Sequence, residues 1–102
     1  MASTQNFVEF VCEQIRGTGV VTYRKMFGEY MVYINAKPIL LVCDNVAYVK
    51  MRDEIKEEMR TSNIREPYKG AKPHYILDID NADFSKKIIS ILEPVTPLPK
   101  KK

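Results

Sequence analysis

The segment "YMVYINAKPILLVCDNVAYVKM", Tyr30 to Met51, reads as three short strands joined by two tight turns. "YMVYIN" and "VAYVKM" are rich in β-branched and aromatic residues, and "AK" (36–37) and "DN" (44–45) supply the turns. Strands this short and this closely spaced pair as hairpins, so the segment predicts an antiparallel meander. The middle run, "PILLVC" (38–43), is apolar at both parities, which marks the strand most covered by other structure. Pro38 stands at its start, where a proline is tolerated.

Working outward, "VVTYRKMF" (20–27) adds a fourth strand on the N-terminal side. Alternation puts Tyr23, Lys25 and Phe27 on one face and Val20, Thr22, Arg24 and Met26 on the other. Both faces mix apolar and charged residues, so parity alone does not choose the buried one. Gly28 then serves the turn into Tyr30 by permitting positive φ.

Helices flank the meander. Phe7, Val8, Val11 and Ile15 form one apolar stripe over residues 4–16, with Thr4 or Ser3 as the cap and Gly17 as the stop. Residues 52–62 predict a second helix, capped by Asp53, with Met51, Ile55 and Met59 inward. The loop "NIREPYKGAKP" contains Pro67, Gly70 and Pro73 and cannot continue that helix. "HYILDI" (74–79) is a fifth strand. A third helix starts at Asp80 or Asn81, with Phe84, Ile88, Ile91 and Leu92 inward. The order helix, four strands, helix, strand, helix defines an α+β fold: a two-layer arrangement of antiparallel sheet and helices. One domain, residues 1–93, is expected, followed by a non-helical Pro/Lys-rich tail, 94–102.

Composition narrows the function. The chain has 102 residues, 45% of them apolar, which is enough for one core. Its net charge is +3, and the terminal Lys100, Lys101 and Lys102 account for that excess, so the body is nearly neutral. No apolar run approaches the length of a membrane span, and "MASTQNF" is not a signal peptide. A cytoplasmic protein with reduced thiols is expected.

Chemistry is sparse. The single histidine, His74, opens a strand and reads as a surface or loop-packing residue. Cys12 and Cys43 are not near each other in sequence and read as small core residues. Asp78, Asp80 and Asp83 precede a helix and read as caps and dipole partners rather than metal ligands. The four glycines are isolated, so no phosphate cradle is expected. The expectation is a protein with no catalytic residues, cofactor or metal.

Two clusters stand out. One is "TYRKMFGEY" (22–30), with Arg24 and Lys25. The other is "REPYKGAKPHY" (65–75), with Tyr68, Lys69 and Lys72 around the turn residue Gly70. Basic residues interleaved with tyrosines make charge-assisted contacts to a partner, or hold phosphate and stack bases.

Several long pieces in register also resemble the TfoX/Sxy family, in particular its N-terminal domain. They are Arg24 to Gly28, Tyr33 to Lys37, Asp44 to Lys50 and Pro67 to Pro73. One departure is Ala36, where the family commonly has glycine; it predicts a turn with a different φ requirement. The resemblance implies a secretion-chaperone-like α+β fold and a link to natural competence, in which the namesakes act as transcriptional coactivators. The namesakes also carry a C-terminal domain, so the expectation here is a stand-alone N-terminal domain. It implies no catalytic residues. The expected function is therefore a non-enzymatic regulatory or interaction domain acting through protein–protein contacts, with a transcription factor as one kind of partner. A sheet edge offers a route to a homodimer. The alternative is a nucleic-acid-binding accessory protein that uses the basic loop and tail.

Overall fold

The computed structural model describes residues 3–26 and 29–99. It contains a helix α1 (Gln5–Gln14) and a six-stranded sheet: β1 (Val21–Met26), β2 (Glu29–Ile34), β3 (Lys37–Cys43), β4 (Val46–Lys50), β5 (Ile64–Arg65) and β6 (His74–Ile76). A second helix, α2 (Ala82–Val95), closes the chain. The sheet order is β1-β2-β3-β4-β6-β5, and every neighbouring pair is antiparallel. The protein is thus an α+β domain built on the meander expected from residues 20–51.

The meander turns are left-handed. Asn35 and Ala36 have φ of 53° and 67°, and Asp44 and Asn45 have φ of 53° and 58°. Two successive positive φ values are the signature of the hairpin turn whose twist matches its strands. Ala36 therefore meets the same conformational demand that a glycine would, contrary to the different φ requirement expected for it.

Cross-strand register identifies the two faces. Val32 lies opposite Leu40, Leu40 opposite Val49, and Val42 opposite Ala47. All of these are buried and share one core cluster with Val8 and Val11 of α1, Ile15 at its C-terminal cap, and Ile88, Ile89 and Leu92 of α2. The helices thus cover this face. Burying a Val, Leu or Ile side chain stabilises by about 1.5–3 kcal/mol, so this layer carries most of the folding energy. Tyr23 joins it, edge-on to Tyr30 at 5.6 Å, which settles the parity of β1: Val21 and Tyr23 face the helices, and Arg24 faces away.

Local signals explain the helix ends. Thr4 Oγ1 accepts from Phe7 N, and Asn81 Oδ1 accepts from Phe84 N. Gly17 sits at φ 97°, beyond the last turn of α1. Helix α2 carries Pro94 in its last turn and ends at Val95, so the non-helical tail begins two residues later than expected. Its buried residues are Ser85, Ile88, Ile89 and Leu92, while Phe84 and Ile91 sit at the margin.

The expected helix over 52–62 is instead a 3-10 turn, Asp53–Ile55, followed by further turns. Ile55 and Met59 are buried as expected, but Met51 is 46% exposed. No side chain caps the 3-10 turn. The i,i+4 acid pairs Asp53/Glu57 and Glu54/Glu58 repel along any regular helix there. The loop read between 63 and 73 contains the short strand β5, whose Ile64 and Arg65 pair with Tyr75 and His74.

Candidate binding groove

The face of the sheet away from the helices is only partly covered. Across it run Arg24, Met31, Leu41, Tyr48 and Ile76, placed side by side by the registers Arg24↔Met31, Met31↔Leu41, Leu41↔Tyr48 and Tyr48↔Ile76. Ile39, two residues before Leu41 on β3, joins them by alternation, and β3 bulges beside it: Val32 pairs with Leu40 and Tyr33 with Pro38, so Ile39 has no partner on β2. The bulge also accommodates Pro38, which has no N–H to give to a ladder.

The β5–β6 connection, residues 66–73, folds back over part of this face. Pro67 is buried, and its carbonyl accepts the Cys43 thiol hydrogen at 2.9 Å. Burial pushes that thiol up to about 12, and the neighbouring Glu29 carboxylate adds to the shift by hydrogen bonding and charge, so Cys43 stays protonated as a donor. Ala71 N donates to Tyr68 O at 3.0 Å, closing a four-residue turn with Gly70 at φ 91°. Positive φ at the third residue is the type II geometry that favours glycine. His74 Nδ1 donates to Lys72 O at 2.7 Å, and its ring meets Tyr48 edge-on at 6.4 Å. Three separate contacts therefore hold the loop in place.

Between this loop and the β1–β2 hairpin lies a cavity of about 690 Å³. Among the described residues, its floor is Met31, Ile39, Leu41 and Tyr48; its walls include Met26 and Glu29 from the hairpin and Tyr68, Ala71, Lys72 and His74 from the loop. Pro38 and Lys50 close the far side. They are shared, with Ile39, by a second hollow of about 270 Å³ that reaches Arg52 and the tail residues Pro97 and Leu98. The two hollows form one groove. Another cleft, about 620 Å³, lies beside Phe7, Asp78 and Asn81, where Asn81 is already engaged as the α2 cap.

The two clusters singled out in the sequence, some 40 positions apart, thus meet on one face. Tyr68 and Lys72 line the cavity; Lys69 occupies the turn beside Tyr68; Arg24 lies on the same face at the sheet edge. Lys25 pairs with Tyr30 and points the other way. Gly28 lies outside the described residues. Sequence reasoning missed the floor residues Met31, Ile39 and Leu41, along with Glu29 and Lys50. The signal for the floor was present in β3, whose apolar residues at both parities require cover on both faces.

Cys12, half-buried against the core, is also held above the usual thiol range, first by burial and then by Glu9. Among the described residues no three His, Cys, Asp or Glu side chains are grouped to hold a metal. Nor is any helix there long and apolar enough to cross a membrane.

The architecture is that of a small α+β domain with an apolar groove on the bare side of its sheet. The model of the TfoX N-terminal domain matches residues 13–82, and the chain belongs to that family. It is also 29% identical, over 102 residues, to an uncharacterized 12.7 kDa protein in the trpE 5′ region of Spirochaeta aurantia, with 98% of this chain and 89% of that protein aligned.

Proposed function

We propose that this domain is a non-catalytic regulatory module that binds another protein through the groove, in the transcriptional control to which its family name is tied. One observation carries the reading: the β1–β2 hairpin and the 66–73 loop converge on a single apolar hollow with cations at its rim. An apolar floor with a polar, charged margin is the anatomy of a recognition surface. Met26 and Met31 supply adaptable, polarisable contacts. Tyr68, 54% exposed, is an aromatic of the kind that dominates interface energetics. Exposed Lys50 and Lys72 favour an acidic partner and speed its approach. Phosphate recognition would place the cations along the floor, where this protein has Met, Ile and Leu.

The test is a paired affinity purification from the native host, using wild type and Tyr68→Asp as baits, after nuclease treatment. The reading predicts a protein recovered at least about tenfold better by wild type, as loss of a central interface aromatic implies. Equal recovery by both baits, or recovery abolished by nuclease, would overturn it.

A further inference from the structure

The sheet register sets a cation on either side of His74. Lys50 of β4 and Arg65 of β5 are both cross-strand partners of His74 on β6. Residues opposite one another in a ladder project from the same face, and Lys50 and His74 line the larger hollow, so all three belong to the groove side of the sheet. Lys72, near the end of the loop, adds a third cation on this side. Neighbouring strands lie about 4.8 Å apart, so the backbones at Lys50 and Arg65 stand about 10 Å from each other across β6.

No acid of the protein neutralises this row. Among the described residues Arg16, Lys37, Arg52 and Arg60 are ion-paired, whereas Lys50, Arg65 and Lys72 are exposed and have no ion pair. Glu29 is in the opposite wall, where its carboxylate lies against the Cys43 thiol and its Oε2 is sealed from solvent. The two kinds of surface are segregated. The apolar floor of Met31, Ile39 and Leu41 lies on β2 and β3, and the cations lie over β4, β6 and β5. An occupant that suits both carries an apolar group at one end and negative charge at the other. Two cations about 10 Å apart fit two acids a few residues apart in an extended chain, which rises about 3.3 Å per residue.

Resting on the reading of the groove as a protein-binding site, we propose that its occupant is an extended acidic segment of a partner protein that crosses the strands from β2 toward β5. One large apolar side chain of the segment fills the larger hollow against Met31 and Leu41. Two Asp or Glu side chains, two or three residues apart, pair with Lys50 and Arg65, and Lys72 adds its charge from the loop.

Selection of a random heptapeptide phage library against the whole protein tests this. The expected consensus is one large apolar residue with two acids on one side of it. Recovered peptides, made synthetically, should bind the double variant Lys50→Glu/Arg65→Glu about tenfold more weakly than wild type, as expected when two attractive pairs become repulsive. The double variant Lys56→Glu/Lys87→Glu has the same net charge, altered at exposed positions that do not line the groove, and should bind within about twofold of wild type. Thermal melts confirm that both variants are folded. Repeating the selection on Lys50→Glu/Arg65→Glu should replace the acids of the consensus by Lys or Arg and keep the apolar residue. No enrichment, a basic or purely apolar consensus on wild type, or equal weakening by the two variants would each overturn the proposal. So would Lys50-dependent binding of decanoate with no peptide enriched, which would make the hollow a small-molecule site. If the Tyr68-dependent host protein is still recovered while the acidic consensus fails, only the assignment of the segment falls. If both fail, the protein-binding reading falls with it.

Discussion

Ala36 holds a left-handed backbone, φ 67°, that its Cβ opposes. An L-residue in that region is strained by about 1–2 kcal/mol, whereas glycine is not. Glycine also has more freedom to lose on folding, which offsets part of the gain. Ala36→Gly should therefore stabilise the protein by about 0.5–1 kcal/mol, a rise of a few degrees in Tm for a domain of this size, measured by calorimetry. A lower Tm would contradict the turn geometry. Its neighbour Asn35 is a different case. Asn tolerates the left-handed region, and here its Oδ1 accepts from Val20 N while its Nδ2 donates to Glu93 Oε2. Gly19 makes room for that side chain: a Cβ there would lie 2.8 Å from Asn35 Nδ2. The family resemblance implied a glycine at position 36. That Ala36 obeys the same φ demand was not legible in the sequence, because the strain appears only in the backbone.

At the level of elements, the β2–β3 turn is tied to the end of α2. Lys37 Nζ donates to Glu93 O at 2.9 Å and pairs with its carboxylate at 3.0 Å. Hydrogen bonding from Lys37, then from Asn35, holds the Glu93 carboxyl below the ordinary carboxylate range. A depressed carboxyl stabilises the fold above its unfolded value, about 4.3, and the contribution is lost as pH falls through the lower folded value. Lys37→Met should therefore flatten the acid limb of stability between about pH 5 and pH 3, read from urea midpoints at a series of pH values. An unchanged limb would show that the pair does not couple the turn to the helix. The strands of the meander were readable to within about a residue because turn residues and alternation agree there. The segment 53–61 was not. Ile55 and Met59 mimic a helical face, but a missing cap and repelling acids break it into turns. Strand β5 has two residues, too few to carry a period.

For the whole molecule, the sequence supplied the pieces of the site but not their meeting. Arg24 and Met26 lie near one end of the chain and Tyr68 and Lys72 near the other; a crossover in the sheet, β4 to β6, and a loop held by Pro67 bring Met26, Tyr68 and Lys72 around one cavity. Edge strand β1 carries the exposed cations Arg24 and Lys25, which disfavour strand pairing along that edge. The account depends on the groove. A photo-reactive phenylalanine analogue at Tyr68 on the groove, and at Phe10 on the outer surface of α1, each installed in the protein in its native host, compares the two sides directly. Our account predicts a protein adduct at position 68 that disappears on Lys72→Glu and is absent at position 10. An adduct with the same protein at position 10 and none at position 68, or a nucleic-acid adduct at position 68, would contradict it.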